Sequence, residues 1–401
     1  MFKYTRLFLL LCLVLAPALS SCRTILPAPP QLTPTDTVLP PTLTPFPSPI
    51  PTDTPTPTQT LTPTPTLTPT PTLFVLPGTP LPPSLTPITA STAGQVSALA
   101  EWQVASVSDI AWTPDGTQLA VATDDRVNLY DPITRDLIRS LYPTTKNIVG
   151  IAFSPDYFGS WLVVGTRWGS EKDGYGSALE LWRGPAWQPR GILSGSPRGL
   201  SDLTFTPNGK ALAAVYASPV KSENVIEFVN AASWTISNTL QTGAVINVAF
   251  SPDSVFLVTS PDLYSVNVWD ISRRTIAFKF LTAFTDAVKT MVYSPDGTML
   301  ATGSYDGSIS LWDMKTGALI KTIQSDAAVE SLAFSPDGRV LAAGSVFEDN
   351  NIRLFSIDTA ELLRELEGNT QGVTNVLFSP AGDMLVSGSY DGRVVLWGIR
   401  P

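Results

Sequence analysis

The 401-residue sequence contains no histidine, and its only cysteines are Cys12 and Cys22, both near the N-terminus. Without an imidazole the chain lacks the usual general base at neutral pH, the commonest zinc ligand and any Ser-His-Asp triad. The region after Cys22 can form neither an internal disulfide nor a thiolate metal cluster. We therefore expect no histidine-dependent catalysis, no bound metal and no cofactor.

Positive charge is also scarce, because 25 Lys and Arg residues face 34 Asp and Glu residues, giving a net charge of −9. Binding to phosphate backbones depends on clustered Lys and Arg, so we expect no nucleic-acid partner. The Walker, dinucleotide-binding, nucleophile-elbow and EF-hand motifs are all absent from the sequence. The sequence therefore predicts a protein that is not an enzyme.

Residues 1–21 have the composition of a signal peptide, with basic Lys3 and Arg6 followed by an apolar run. That run is shorter than the roughly 20 residues needed to span a bilayer. It ends in Leu19-Ser20-Ser21-Cys22, which resembles the lipobox of bacterial lipoproteins. The resemblance implies cleavage before Cys22, lipidation of Cys22 and an extracytoplasmic location on a bacterial membrane. Ordinary secretion and an uncleaved anchor are the alternatives.

Residues 22–93 are dominated by Thr and Pro, as in TPTPTQTLTPTPTLTPTPTL at residues 54–73. Proline fixes φ and removes an amide donor, and the apolar residues are too sparse to form a core. We predict a disordered, polyproline-II-rich linker, in which some 70 residues reach at most ~200 Å. O-glycosylation of this segment is a hypothesis from composition alone.

From residue 94 to residue 401 one pattern recurs, clearest in YSPDGTMLATGSYDGSISLWD at 293–313 and FSPAGDMLVSGSYDGRVVLWG at 378–398. Each unit holds three apolar strands separated by two turns, and a fourth apolar stretch precedes the next unit. The turn prolines are Pro114, Pro155, Pro207, Pro252, Pro295, Pro336 and Pro380. The third strands end in Tyr130, Trp182, Phe228, Trp269, Trp312, Phe355 and Trp397. Four strands repeated seven times predict an all-β protein with a seven-bladed β-propeller.

These repeats resemble the WD-repeat family, most clearly in Trp269-Asp270, Trp312-Asp313 and the degenerate Tyr130-Asp131. The resemblance covers roughly residues 96–401 and implies a β-propeller; a rigid disc with exposed loops and no catalytic constellation favours a protein-binding scaffold. The family's Gly-His dipeptide is missing throughout, so its Asp-His-Ser/Thr-Trp hydrogen-bond network cannot form. Periplasmic propellers with SPDG-type repeats, in which six blades are common, are a related alternative.

Side chains that recur in every unit are predicted to be structural. The aromatic residues that close the third strands fit core packing between blades, and the aspartates of the first turns fit local turn geometry. Only four residues follow Trp397, whereas an apolar stretch from Leu99 to Ser106 precedes the first repeat. We therefore predict that this N-terminal stretch pairs with the strand ending at Trp397 and closes the ring.

The second turn is longer in three units, at Arg167–Ser177, Ala217–Asn224 and Val346–Asn351. Loops on a rigid scaffold are the usual place for recognition, although tolerated surface insertion is an equal alternative. The candidate partner-binding residues in these turns are Arg167, Trp168, Lys172, Tyr175, Lys221, Phe347 and Glu348.

Taken together, these features predict a monomeric, membrane-tethered propeller that binds an unidentified protein partner. One alternative is a binder of sugar or another small extracellular ligand, because Trp168 and Tyr175 could stack on rings. A carboxylate- or calcium-dependent propeller hydrolase or lyase is a third candidate, and it would need acidic residues converging at the central channel.

Overall fold

The computed structural model describes residues 81–82, 85–155, 160–170, 174–196, 198–217, 224–243, 245, 247–262, 264–347 and 349–400. Within these ranges the chain forms seven four-stranded antiparallel sheets. The sheets follow one another along the chain as the blades of a seven-bladed β-propeller, which confirms the predicted all-β architecture. No helix in this part of the chain is long and apolar enough to span a bilayer.

A 3₁₀ turn at Ala93–Gln95 precedes the first strand, β1, at Val96–Gln103. Blades one and two consist of β2 (Asp109–Trp112), β3 (Leu119–Ala122), β4 (Val127–Tyr130), β5 (Leu137–Leu141), β6 (Ile148–Phe153), β7 (Trp161–Ser170), β8 (Gly174–Arg183) and β9 (Gln188–Ser196). Blades three and four consist of β10 (Gly199–Phe205), β11 (Ala211–Ala217), β12 (Asn224–Asn230), β13 (Thr235–Gly243), β14 (Val248–Phe250), β15 (Phe256–Asp262), β16 (Ser265–Asp270) and β17 (Thr275–Leu281).

Blades five and six consist of β18 (Val288–Tyr293), β19 (Met299–Ser304), β20 (Ser308–Asp313), β21 (Leu319–Gln324), β22 (Ala328–Phe334), β23 (Val340–Val346), β24 (Ile352–Ser356) and β25 (Leu362–Leu366). Blade seven contains β26 (Val373–Phe378), β27 (Met384–Ser389) and β28 (Arg393–Ile399), with β1 as its fourth strand. The first strands of the blades contact one another all around the ring and therefore line its centre. The middle strands are buried, whereas the fourth strands are largely exposed.

Closure of the ring follows the prediction. β1 pairs antiparallel with β28, from Val96 opposite Ile399 to Gln103 opposite Arg393, with one bulge between Ala98 and Ala100. The strand begins three residues earlier than the apolar stretch in the sequence suggested. The last blade is thus completed by the N-terminal end of the propeller, which removes an open strand edge.

The N-terminal boundary of the propeller lies earlier than the predicted residue 94. Leu81 donates its amide to the Ile133 carbonyl at 2.9 Å, and Ile88 donates to the Gly382 carbonyl at 2.8 Å. The Leu85 side chain is buried between blades seven and one, and the Ile88 side chain is buried between blades six and seven. These described residues of the predicted linker pack because they bring apolar side chains to the sheet edges. The predicted signal peptide and the linker up to residue 80 lie outside the described residues.

The seven aromatic residues that close the third strands are all buried, as predicted for a packing role. Three of the tryptophans also donate their indole N–H to a hydroxyl of the adjacent second strand: Trp269 to Thr259, Trp312 to Thr302 and Trp397 to Ser387, at 2.9, 3.0 and 2.9 Å. The hydrophobic clusters lie between neighbouring blades, where sheets pack face to face.

Threonines take over part of the role of the missing histidines. The Asp306 carboxylate in the second turn of blade five accepts the Thr285 amide at 2.6 Å and the Thr285 hydroxyl at 3.2 Å. In blade seven the Thr370 hydroxyl donates to Asp391 in the same way. Each bond ties a second turn to the connection that enters the same blade. The turn aspartates are thus fixed without an imidazole.

The disc has two distinct faces, which follow from strand order. The face that carries the first and third turns of each blade is here called the first-turn face, and the opposite face, with the second turns and the connections between blades, the second-turn face. On the first-turn face neighbouring turns touch: a Cβ on Gly382 would lie 3.1 Å from the Pro336 ring of the preceding blade. Gly382 has φ +72°, which a residue with a side chain adopts at a cost.

Candidate functional site

In the part of the chain that the structure describes, the exposed aromatic side chains all lie on the second-turn face. Among the described residues, the aromatic side chains that are exposed are Tyr142, Trp168, Tyr264, Phe347 and Tyr390. Tyr142 belongs to the connection from blade one to blade two, and the other four belong to second turns or their hairpins. Large aromatic side chains are enriched at the centres of protein interfaces. The second-turn face is therefore the candidate functional surface.

In blade two the predicted long loop is a β-hairpin, which corrects the sequence interpretation. β7 and β8 continue past the end of the blade, with Arg167 opposite Ser177 and Trp168 opposite Gly176. A Cβ on Gly176 would lie 2.5 Å from the Trp168 indole, so the ring lies flat across that glycine. The length of the second turn pointed to a loop, but cross-strand pairing and the indole over Gly176 allow the strands to continue.

The hairpin forms one wall of a cleft of about 490 Å³ between blades one and two. Its lining residues are Ser108, Asp124, Asn147, Ile148, Val149, Arg167, Trp168 and Gly169. The Arg167 amide donates to the Asn147 carbonyl at 3.0 Å, and the Asn147 amide donates to the Asp124 carbonyl at 2.7 Å. These bonds fix the hairpin against the turn of blade one. The cleft offers a partner an indole face, a guanidinium fork and several hydrogen-bonding groups.

The structure brings Arg167 and Trp168 together and places Phe347 elsewhere. Phe347 is 75% exposed in the second turn of blade six, where its ring meets the edge of Tyr305 with centroids 5.6 Å apart. The Tyr175 backbone pairs with Gly169 in the hairpin, but its side chain is outside what the structure describes. Lys172, Lys221 and Glu348 also lie outside the described residues.

Sequence reasoning missed four aromatic residues of this face: Tyr142, Tyr264, Tyr305 and Tyr390. Only lengthened turns were searched for candidate residues, whereas these tyrosines occupy connections of ordinary length. A detectable signal was present, because Tyr305-Asp306 and Tyr390-Asp391 repeat the order of Phe347-Glu348 at the same place in adjacent blades.

A ring of polar side chains links the first strands across the centre of the disc. Asp109 on β2 accepts the Ile151 amide of blade two at 2.8 Å, and Asn375 on β26 donates its amide to Asp109 at 3.1 Å. Asp202 on β10 accepts the Val248 amide of blade four at 3.3 Å. Both carboxylates are thus engaged in holding neighbouring blades together. The hydrolase alternative requires acidic residues that converge at the central channel, and the two carboxylates found there accept hydrogen bonds from neighbouring blades.

Desolvation at the centre of the disc raises the pKa of Asp109 to about 7 and that of Asp202 to about 6, against the opposing hydrogen bonds. Between about pH 4 and pH 7 the folded state therefore holds protons that the unfolded chain releases. Stability from these groups is lost as the pH rises through that window. We expect the Asp109→Asn/Asp202→Asn variant to lose less stability than wild type from pH 5 to pH 8, measured by urea unfolding.

Asp296→Asn provides the control for this pH experiment. The Ser294 hydroxyl, followed by the Thr298 amide, holds the pKa of Asp296 below its ordinary value, so its contribution is lost only in acid. Asp296→Asn should leave the slope between pH 5 and pH 8 unchanged. An identical slope in wild type and the double variant would show that neither central carboxyl titrates in that range.

The aspartates of the first turns have the predicted local role. In blades one, four, five and six the Ser or Thr that opens the turn donates its hydroxyl to the turn Asp, as Thr113 does to Asp115 at 2.6 Å. The described ranges contain no group of three or more acidic, Cys or His side chains arranged to hold a metal ion.

Comparison with known proteins finds matches to individual repeats of this chain and to parts of two other proteins. The WD40 family, described as WD domain, G-beta repeat, matches residues 96–131, 277–313, 317–356 and 360–398. An uncharacterized WD repeat-containing protein from Synechocystis sp. is 26% identical over 184 residues, which is 45% of this chain and 48% of that protein. Centriole proteome protein 16 of Chlamydomonas reinhardtii is 39% identical over 51 residues, which is 13% of this chain and 2% of that protein.

The matched segments have a fixed relation to the blades of the propeller. Residues 317–356 begin near β21, the fourth strand of blade five, and end with β24, the third strand of blade six. The sequence repeat is thus offset by one strand from the blade, as ring closure through β1 requires. The chain spans about half the length of the Synechocystis relative. WD-repeat propellers are typically protein-interaction scaffolds rather than enzymes. The matched WD40 repeats and the seven four-stranded blades show an all-β, seven-bladed β-propeller with WD40 repeats in four segments of the chain.

Proposed function

We propose that this protein is a membrane-tethered, extracytoplasmic propeller that binds a protein partner on its second-turn face. The observation that carries the proposal is the confinement of exposed aromatic side chains to that face among the described residues. Interfaces draw most of their binding energy from a few aromatic and Arg side chains, and Trp168 and Arg167 lie together there.

The described N-terminal segment leaves the second-turn face uncovered. Leu81 and Ile88 bond to the third turn of blade one and the first turn of blade seven, so this segment crosses the first-turn face. The second-turn face therefore remains open to a partner on the side opposite to this segment.

The hairpin of blade two offers a direct test. Thr166 and Ala178 pair directly, so replacing residues 167–177 by Asp-Gly should close β7 and β8 with a short turn. We expect this variant to keep its melting temperature within a few degrees and to lose capture of the partner identified by proximity labelling with wild-type protein. Binding at the wild-type level by the trimmed protein would contradict the assignment of the partner site to this cleft.

A matched control lies on the opposite face. Lys315 is exposed in the third turn of blade five, so Lys315→Ala changes the first-turn face without touching the cleft. Capture of the partner should be unaffected by this substitution. An equal loss of capture in both variants would instead place binding outside the second-turn face.

A small-molecule ligand is a second candidate, favoured by the cleft itself. An exposed indole beside polar groups in a cavity of about 490 Å³ is suited to stacking on a sugar ring. Quenching of Trp168 fluorescence by oligosaccharides, compared between wild type and Trp168→Phe, separates this function from protein binding. If no oligosaccharide quenches the fluorescence of the wild-type protein in a saturable way, sugar binding in this cleft is excluded.

A further inference from the structure

Three successive blades carry an aromatic residue followed by an acidic residue at the start of the second turn. The pairs are Tyr305-Asp306 in blade five, Phe347-Glu348 in blade six and Tyr390-Asp391 in blade seven. Equivalent positions in consecutive blades are neighbours on the disc, so the three aromatic residues form one sector of the second-turn face. This sector is called the acidic rim below, and it is separate from the cleft between blades one and two.

The rings of the acidic rim are held in place while part of their surface remains free. The Tyr305 hydroxyl donates to Glu330 at 2.6 Å, and the Tyr305 ring meets Phe347 edge-on. Tyr390 is 57% exposed, and a Cβ on Gly372 would lie 3.2 Å from its ring. Fixed rings lose little conformational entropy when a partner covers them.

Charge separates this sector from the rest of the face. The second turns and incoming connections of blades five to seven are residues 282–287, 305–307, 325–327, 347–351, 367–372 and 390–392. They contain seven Asp or Glu residues and no Lys or Arg. The corresponding segments of blades one to four contain five acidic and five basic residues, at 104–108, 123–126, 142–147, 171–173, 197–198, 218–223, 244–247 and 263–264. The negative charge is therefore concentrated in one sector.

Basic side chains from the adjoining strands neutralise only part of this sector. Lys289 pairs with Glu330 at 3.2 Å and Arg393 with Glu101 at 3.0 Å, and both carboxylates belong to strands. Arg353 pairs with Glu365 at 2.8 Å and also with Asp349 in the second turn of blade six. The charges of the turns and connections remain in excess. Asp306 and Asp391 stay ionised, because hydrogen bonds from neighbouring amides and hydroxyls lower their pKa although burial raises it.

One contact within the chain shows how this sector can hold a cation. The Lys289 ammonium lies 5.6 Å from the centroid of the Tyr305 ring while it pairs with Glu330. An aromatic face beside a carboxylate attracts an ammonium or guanidinium group through both the ring quadrupole and the charge. Phe347 and Tyr390 offer further exposed rings beside acidic residues, without a basic residue in their own turns.

We propose that the acidic rim binds a Lys- or Arg-rich segment of a protein partner, with its cations against Phe347 and Tyr390. The inference rests on the proposed function and specifies the chemistry of one partner segment. Charge complementarity selects this occupant, because an acidic or anionic ligand would be repelled by seven carboxylates. Attraction across exposed charges is screened by salt, so binding must weaken as ionic strength rises.

The test uses the full-length protein in detergent and three labelled peptides of equal length, which alternate Gly with Lys, with Glu or with Ser. We expect fluorescence anisotropy to detect binding of the Lys peptide alone, weakening several-fold from about 50 to about 200 mM salt. Phe347→Ala/Tyr390→Ala should weaken binding of the Lys peptide about tenfold, which corresponds to ~1.4 kcal/mol for the two rings together. Tyr142→Ala/Tyr264→Ala, a matched loss of two exposed aromatic residues from the same face outside the acidic rim and the cleft, should change binding less than twofold.

Peptide binding tests the acidic rim, whereas partner capture by the hairpin-trimmed protein tests the proposed function, so the two can fail separately. Equal binding of the three peptides, or equal weakening by the two double variants, would overturn the assignment of the acidic rim. Binding of the Glu peptide in preference to the Lys peptide would overturn it as well. If the hairpin-trimmed protein loses its partner while no peptide binds the rim, the proposed function stands and the cationic partner segment is rejected.

Discussion

Deleting residues Val96–Gln103 should lower the melting temperature by ~10 °C or more, because the ring loses the strand that closes it. Val96 and Leu99 are almost fully buried in β1, and the strand pairs along its whole length with β28. Burial of two such side chains contributes about 3–6 kcal/mol, and the β28 edge would be left open. Thermal unfolding followed by circular dichroism measures the effect.

Point variants within β1 sharpen this test. Leu99→Asp should reproduce most of the loss, because the side chain fills the space over Gly398. Glu101→Gln is the matched control, since its carboxylate is partly exposed and its pairing with Arg393 is a surface ion pair worth ~1 kcal/mol at most. A deletion variant that melts at the wild-type temperature would mean that blade seven is stable with three strands.

Replacing Cys22 by Ala should move nearly all of the protein from the membrane fraction to the soluble fraction. Two or more acyl chains, each contributing ~0.8 kcal/mol per buried methylene, hold a protein stably on a bilayer, whereas a single chain binds only marginally. The described part of the chain has no membrane-spanning helix that would hold the protein independently. Immunoblotting of fractions after a carbonate wash measures the redistribution.

Cys12→Ala is the matched control for the anchor experiment. It removes the other cysteine of the chain, within the apolar run that precedes the lipobox-like sequence. If Cys22 is the lipidated residue, this variant should fractionate with the membrane to the same extent as the wild-type protein. Retention of Cys22→Ala in the washed membranes would point to an uncleaved N-terminal anchor instead of a lipid.

Much of the fold could be predicted because each repeat carries recognisable turn residues and an aromatic residue at the end of its third strand. Pro295-Asp296-Gly297 specifies a tight turn from local chemistry alone, and a buried aromatic at the end of each third strand marks the core. Ring closure was predictable because an apolar stretch precedes the first repeat, and this stretch can supply a fourth strand to blade seven. The linker boundary was less accurate, because Leu85 and Ile88 become core residues only when sheet edges lie beside them.

The candidate surface was predicted only in part. Arg167, Trp168 and Phe347 do lie on the second-turn face, but the first two share a cleft and the third lies in another sector. The length of the second turns identified these residues, because insertions are visible in a sequence. Tyr390 was overlooked because its turn has ordinary length. Its side chain is 57% exposed, and this exposure depends on how much of the ring the neighbouring blades cover.

The sequence alone determined the strand count, the turn chemistry, the structural role of the repeated aromatic residues and the expectation of a chain without histidine or thiolate chemistry. These features depend on local periodicity and composition, which are present in any segment considered by itself. Tertiary structure decided that Asp109 receives hydrogen bonds from two other blades, that a Gly- and Ser-rich segment continues as a hairpin, and that acidic second turns gather in one sector. Those outcomes depend on which blades become neighbours when the ring closes, because contacts between residues far apart in sequence exist only in the closed disc.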